Sequence, residues 1–448
     1  MGLALAKASR ETALKDKANQ ELKEKADAGF LLLANEDRID LARTTEAQLP
    51  PPWPGNMAAY QTWHTEFGER LRNEERMVSQ RLVALAQQRE DNGGELPDDV
   101  DRHLERALTR LQLQFDKFLG PAGLAKKVAA RRSWSEQNLK VPDDDTAAAW
   151  QNAREALKAS DGERASKAYS GLPLPQLEGL LPLGCHPRTK LWEFLDLRTH
   201  EPGYPIPMRN TTTGDFKADA GTGLILVLLP PGRVTIGARR YQPGMDRNDD
   251  HAAPDELNDT ATQLEAFLIS RTELTVVQLA RLTGQDLANQ DPQVPASNLD
   301  WSTARAELKR WGLSLPTEVQ WEYACRAGTT APWYFIDEAR ADDYGWYTGE
   351  IRRVGQRSSN AFGLVDMHGN VSEWCEDEKL PYIDFAARNG DGLRSREMTD
   401  ADAWRVVRGG SVRSNDAIGC RSTARSSKSP DTRDGVIGVR PMRRITPR

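Results

Sequence analysis

The chain has 448 residues, which exceeds the roughly 100 to 200 residues of a typical single domain, so two or more structural units are expected. Its formal net charge is −6, and both signs are spread along the chain, which excludes the basic surface that nucleic-acid-binding proteins carry. No run of about 18 apolar residues occurs, and residues 1–6 are too short for a signal-peptide core. We therefore expect a soluble cytoplasmic protein with no nucleic-acid partner and no membrane segment in the chain as given.

The four cysteines do not form a metal-binding pattern. Cys185, Cys325, Cys375 and Cys420 show no CxxC pair and no spacing with histidines that indicates zinc. Buried or free thiols are the simpler interpretation, and they are consistent with a reducing compartment.

The first part of the chain is predicted to be helical. Residues 1–47 have the Ala, Lys, Glu and Leu content of a long polar helix, and four prolines in residues 48–55 then end it. Helical periodicity returns from residue 57 to about residue 118, with a turn at residues 91–97, and indicates paired antiparallel helices. Such helices also offer a surface for an oligomer.

A change of composition near residues 200–220 marks a domain boundary. Residues 144–168 are predicted to be helical, whereas residues 223–232 and 233–238 have the length and branching of strands. We predict a helical bundle or coiled region over residues 1–145, a helical connector over 146–215 and a compact domain over 216–448.

The compact domain contains two clear helix starts. Thr275 to Gln278 and Thr317 to Gln320 are capping-box patterns, and a third helix is predicted from Ser302 to Trp311. Beyond Gly328 the chain is rich in Trp, Tyr, Gly and Asn and should form loops with brief strands. Oxygen-ligated metal is one means of holding so much loop.

Several segments of this domain resemble the formylglycine-generating-enzyme (sulfatase-modifying-factor) family. They follow the family's order and are residues 267–275, 315–328, 362–374, 406–411 and 435–440. The resemblance implies an α+β architecture, in which a C-type-lectin-like domain of short twisted strands, two flanking helices and long loops follows an all-α N-terminal region. Residues 150–195 are also similar to the connector that precedes this domain in large bacterial kinases. The chain itself has no kinase Gly-rich loop or H-R-D triplet.

The resemblance implies a copper site that this sequence lacks. Family enzymes oxidise a substrate cysteine with two cysteines spaced CxxxxC shortly after the Gly-Gly-Ser turn, and these thiolates bind the soft cation Cu(I). Here residues 412–419 contain no cysteine, and Cys420 is the only nearby thiol. We therefore expect no copper, no catalytic residue of this type and no formylglycine generation. The related iron-dependent sulfoxide synthases use three histidines of a helical module, and His64 and His103 lack the close pairing that a facial iron site needs.

A calcium site is the family chemistry that the sequence retains. By position, the resemblance implies oxygen ligands from Asp366, Gly369, Asn370 or Val371, and Glu373, which suit a hard cation. The alternative is that Glu373 pairs with a nearby arginine.

The resemblance also implies a polar ligand cleft. Ser372 stands where family enzymes usually place a tryptophan near their substrate, so peptide binding should be altered or lost. The other predicted cleft residues offer a polar, partly cationic surface for an anionic or peptide ligand, and they are Ser411, Ser414, Asn415, Arg425 and Asp431.

Three functions remain open from the sequence. The first is a non-oxidising binding or scaffold protein, whose lectin-like face recognises a protein or peptide. A bacterial signalling or defence system is one setting for such a protein. The second is an enzyme of the same superfamily that modifies a protein or peptide with different residues. The third is a variable ligand-binding protein diversified by a retroelement. The missing cysteine pair favours the first.

Overall fold

The computed structural model describes residues 34–96, 99–139, 144–158, 169, 171–239, 246–285, 290–335, 338–396 and 403–445. The chain divides into two compact units, Met1–Gln137 and Asn138–Arg448. Most of the long polar helix predicted over residues 1–47 lies outside the described residues. Among the helices that are described, none is both long and apolar enough to cross a membrane.

The N-terminal unit is helical, as predicted. Its helices are α1 (34–46), α2 (Met57–Trp63), a π-helical segment (His64–Glu69), α3 (Arg70–Asp91), α4 (Asp99–Leu119) and α5 (Leu124–Asn138). α3 packs against α4, which confirms the predicted helix pair. Trp63, Leu71 and Phe115 are buried in a shared apolar core, so tertiary packing of one face stabilises these otherwise polar helices.

The C-terminal unit begins with a helix and continues with short strands. Its helices are α6 (Asp144–Lys158), α7 (Val276–Thr283), α8 (Trp301–Arg310) and α9 (Glu318–Arg326). Its strands are β1 (Leu180–Cys185), β2 (Trp192–Asp196), β3 (Ile225–Leu229), β4 (Gly232–Thr235), β5 (Ala261–Leu264), β6 (Phe267–Ser270), β7 (Ser372–Glu378), β8 (Arg405–Arg408), β9 (Arg425–Lys428), β10 (Ile437–Gly438) and β11 (Met442–Arg444).

These strands form two larger sheets and a hairpin within the described part of the unit. The first sheet has the order β1-β2-β3-β6-β11 and the second has the order β10-β7-β8-β9, while β4 pairs with β5. All pairs are antiparallel except β10 with β7, which is parallel. The last strand, β11, therefore returns to the first sheet, where it pairs with β6.

The segment 146–215 differs from the helical connector that the sequence predicts. It contributes β1 and β2 to the first sheet, next to β3. Every residue of β2 is buried. An apolar run of this length fits a buried strand as well as a helix, so periodicity could not distinguish the two.

Both predicted capping boxes are confirmed. In α7 and α9 the side chains of Thr275 and Thr317 accept from the amides of Gln278 and Gln320. The side-chain oxygen of each glutamine accepts in turn from the amide of its threonine. Thr317 Oγ1 also donates to the Asp391 carbonyl at 2.6 Å. The N-terminus of α9 is thus attached to a loop 74 residues further along the chain.

Thr317→Ala should destabilise the protein more than Thr275→Ala. Each change removes a cap, which costs about 1 kcal/mol. Thr317→Ala also leaves the buried Asp391 carbonyl without this donor, which adds about 1 kcal/mol. Urea denaturation of both variants measures the difference, and equal losses would show that the Asp391 contact contributes nothing.

Candidate functional site

The loop from Asp366 to Val371 has a backbone that few residues tolerate. Asp366, Gly369 and Asn370 have φ values of 57°, 87° and 58°, in the left-handed region that favours glycine and asparagine. A Cβ atom at Gly369 would lie 2.1 Å from the Trp346 carbonyl oxygen, so a side chain cannot fit there. The Asn370 amide donates to that same oxygen at 2.8 Å. The shape of the loop therefore requires the Gly-Asn pair, whatever the loop binds.

Glu373, on β7, forms a fully buried ion pair with Arg440. Arg440 Nη2 donates to Glu373 Oε1 at 2.8 Å, and Trp321 Nε1 donates to Oε2 at 2.6 Å. The same guanidinium donates to the carbonyls of Ser270 and Val365 at 3.1 and 2.9 Å. The pairing of Glu373 with an arginine, which the sequence left open as an alternative to calcium ligation, is thus present.

Two more carboxyl groups are buried beside this pair. Glu273 Oε2 accepts from Asn370 Nδ2 at 3.0 Å, and Oε1 accepts from the Val371 amide at 3.2 Å. Asp366 Oδ2 accepts from the Gly355 amide at 2.6 Å, whereas Oδ1 is buried and has no hydrogen-bond partner among the described residues. Burial raises the pKa of Asp366 to about 6. Burial, reinforced by neighbouring carboxylates, also raises the pKa of Glu273 well above its usual range.

The structure gathers the predicted calcium residues into this one buried region, together with Glu273, which sequence reasoning missed. Its one signal was its place within the family segment at residues 267–275. Glu273 is separated from Asn370 by 97 residues, so only the fold brings the two together. In the described part of the chain, no group of three or more His, Cys, Asp or Glu side chains is arranged to hold a metal ion. Calcium at this loop stays a prediction.

Three predicted cleft residues lie in one turn after β8. Ser411 donates its amide to Ser414 Oγ at 3.0 Å, and the Asn415 amide donates to the Tyr347 carbonyl at 3.0 Å. The Val412 amide donates to the Asn370 carbonyl at 3.1 Å, so this turn adjoins the predicted calcium loop.

The other predicted cleft residues lie elsewhere. Ser372 begins β7 and pairs with Ile437. Arg425 has a fully buried side chain, and its Nε and Nη2 donate to the two oxygens of Glu318 at 2.8 and 2.7 Å. Asp431 is exposed and accepts from Ser429. Arg425 is thus committed to an internal ion pair, and the described contacts do not join Asp431 to the turn at Ser411.

The two thiols nearest this turn are buried and protonated. Cys325 Sγ lies 3.9 Å from His368 Nε2, and His368 Nδ1 lies 2.6 Å from the Cys420 carbonyl oxygen. Burial raises the pKa of both cysteines to about 12 and lowers the pKa of His368 to about 4. At neutral pH these groups are a pair of thiols and a neutral imidazole, which is the state of a packed core.

The C-terminal unit matches the family profile described as "Sulfatase-modifying factor enzyme 1-like domain" over residues 213–445, which is more than half of the 448-residue chain. The chain belongs to this family. The match confirms the family resemblance and the predicted fold class, a helical N-terminal region followed by a C-type-lectin-like domain of mixed helix and strand.

Relatives differ in what surrounds the domain. The chain is 32% identical over 171 residues to the formylglycine-generating enzyme of Streptomyces coelicolor, covering 33% of this chain and 52% of the enzyme. It is 30% identical over 156 residues to the serine/threonine-protein kinase pkn1 of Chlamydia pneumoniae, covering 34% of this chain and 24% of the kinase. The chain thus spans about half of the enzyme and a quarter of the kinase.

Among solved structures, PvdO from Pseudomonas aeruginosa is 26% identical, with a TM-score of 0.43, over 49% of this chain and 94% of PvdO. Treponema denticola variable protein 1 is 20% identical, with a TM-score of 0.40, over 54% of this chain and 100% of that protein.

Arg440→Gln should destabilise the protein far more than Arg413→Gln. The first change leaves Glu373 buried without its cation, which costs roughly 3–5 kcal/mol. The second removes the Arg413–Asp434 pair, in which Arg413 is 66% exposed, and such surface pairs contribute about 0–1 kcal/mol. Chemical denaturation of the two variants, which carry the same chemical change, tests this. Similar losses would contradict the central role of the buried pair.

Proposed function

We propose that this protein is a non-oxidising member of its family, in which the lectin-like domain binds a protein or peptide ligand and acts as a scaffold. One observation carries the proposal. The residues at which the family places its copper-binding cysteines have no thiol, and the neighbouring thiols are buried.

Ser414 and Gly419 have the CxxxxC spacing that the family uses after its Gly-Gly-Ser turn. A Cβ atom at Gly419 would lie 3.2 Å from Ser414 Cβ, so side chains at these two positions would be in contact. A hydroxyl and a glycine cannot supply the soft ligands that Cu(I) requires. The two positions are thus close together, but neither carries a thiol.

Cys420 does not replace them. Because burial raises its pKa to about 12, the thiolate that binds copper is scarce at neutral pH. Its sulfur is packed closely against Gly410, where an added Cβ atom would lie 2.3 Å from Sγ. A substrate thiol would have to displace this packing before it could reach Cys420.

An oxygen-consumption assay with cysteine-containing peptides tests the proposal. We expect no turnover above the buffer rate, with or without Cu(I), because no thiolate pair is present to bind the metal. Sustained peptide oxidation by the wild-type protein would overturn the proposal and favour the enzymatic alternative.

The double variant Ser414→Cys/Gly419→Cys should gain a Cu(I) site. Thiols on two side chains that are in contact can share one copper ion, so we expect one tightly bound Cu(I) per chain, measured by competition with a colorimetric Cu(I) chelator. The wild type and the two single variants are the matched controls. If the double variant binds Cu(I) no more tightly than these controls, the absence of thiols is not what prevents copper binding.

We also propose that a calcium ion stabilises the loop at Asp366. Three buried carboxyl groups share one buried guanidinium, and Asp366 Oδ1 has no partner among the described residues. Both observations fit an oxygen-bound divalent cation. Glu373 fits less well as a ligand because both of its oxygens already accept from Arg440 or Trp321. Asp366 would therefore supply the carboxylate, with backbone oxygens of Gly369 to Val371.

Calcium should raise the melting temperature of the wild type by several degrees relative to EDTA. Binding to the folded state alone adds about 2.7 kcal/mol at one hundred times Kd. Asp366→Asn should lose most of this gain, whereas Asp384→Asn, at an exposed carboxylate, should keep it. A wild type that is unaffected by calcium, or an Asp366→Asn variant with the full shift, would contradict the site.

A further inference from the structure

A cavity of about 240 Å³ opens beside the end of β6, among residues that belong neither to the predicted calcium site nor to the predicted cleft. Its lining comes from three stretches of chain, residues 216–225, 271–278 and 354–365, with Gln293 added. Cavities that hold ligands usually span about 300–1,000 Å³, so this one suits a small molecule.

The charged groups of the lining are two cations and one carboxylate. Arg271 is held in place, since its Nη2 donates to Asp215 Oδ1 at 2.6 Å and its Nε donates to the Gly363 carbonyl at 3.2 Å. Lys217 is exposed at the rim. Asp215 also pairs with Arg188 at 3.3 Å, so it neutralises the Arg271 charge only in part.

The carboxylate of the lining, Asp219, is occupied by its own turn. Oδ2 accepts from the Tyr204 hydroxyl at 2.6 Å, and Oδ1 accepts from Thr222 Oγ1 at 2.9 Å and the Gly221 amide at 3.1 Å. These bonds leave the carboxylate charged, but they direct both of its oxygens into the turn. The charged groups of the lining that can donate hydrogen bonds to a ligand are Lys217 and Arg271.

The rest of the wall combines apolar side chains with the uncharged polar side chains of Thr272, Thr275, Gln278 and Gln293. Phe216, Ile225 and Val365 are buried and contribute hydrocarbon surface, and Val354 lies half-buried on the other side. An inorganic anion would leave this surface without a partner, whereas an acid with a short hydrocarbon chain would cover it and place its charge near Arg271 and Lys217.

We propose that this cavity binds a small free carboxylic acid with a short apolar body. The carboxylate lies toward Arg271 and Lys217, and the hydrocarbon lies against Phe216, Ile225 and Val365. This site is additional to the protein- or peptide-binding function proposed above, and neither depends on the other.

Ligand-observed NMR and calorimetry on the full chain, with 4-methylpentanoate as the probe, test the proposal. We expect saturable binding of one molecule per chain, and binding at least tenfold weaker for 4-methylpentanamide, which has the same shape without the charge. Equal binding of acid and amide would overturn the assignment. The assignment would also be overturned if an acetylated peptide ending in leucine bound to the protein while the free acid did not.

Two variants locate the site. Lys217→Gln should weaken binding about threefold, while Lys309→Gln, at an exposed lysine on α8, should leave it unchanged. Val354→Trp should fill the cavity and abolish binding, with an unfolding temperature close to that of the wild type as the check on folding. Full binding by a folded Val354→Trp variant would place the ligand elsewhere and refute the proposal.

Discussion

The buried ion pair between Glu373 and Arg440 is the interaction on which the C-terminal domain depends. Glu373 lies on β7 in the four-stranded sheet, and Arg440 lies between β10 of that sheet and β11 of the five-stranded sheet. Arg440 also donates to Ser270 on β6, so one guanidinium joins both sheets. Removing these charges from water costs several kcal/mol per ion, and the pair is tolerated because the carboxylate and the guanidinium both have several partners. The loop from Asp366 to Val371 takes its shape from the same guanidinium, which donates to the carbonyls of Val365 and Asp366.

This pair also explains why the pKa values of the neighbouring carboxyl groups are raised. Glu373 already uses the positive charge of Arg440, so Glu273 and Asp366 are buried with little compensation, and their pKa values rise. Either a proton or a bound cation can neutralise such a carboxylate. The two have opposite effects on how the stability of the folded state changes with pH. Without a cation, the raised pKa of Asp366 means that the folded state holds an extra proton between about pH 4 and 6, so this group's contribution to stability falls as the pH rises through that window. A bound cation favours the ionised carboxylate and removes this loss.

Sequence reasoning succeeded where the cause of the structure is local. The capping boxes at Thr275 and Thr317 are four-residue patterns, and both helices begin where these patterns place them. It failed where partners are distant in sequence. β2 is a strand because it pairs with β3, from which a long loop separates it in sequence. Arg425 is buried because it pairs with Glu318, which is 107 residues away. Glu273 contacts the loop at Asn370 because it follows the end of β6. Family motifs supplied part of this long-range information, although they could not show that the oxygens of Glu373 were already occupied.

The motifs that identify the family are mostly residues that hold the domain together, which explains how the fold persists without the copper ligands. Gly369 and Asn370 fit against Trp346, and Gly409 adopts a φ of 91° against the ring of Trp321. None of these contacts requires a thiol. Ser414 and Gly419, by contrast, lie half-buried or exposed, where substitution removes little packing. Substitution at these two positions therefore costs the domain little stability, so membership of this family establishes the scaffold and leaves the chemistry open to variation.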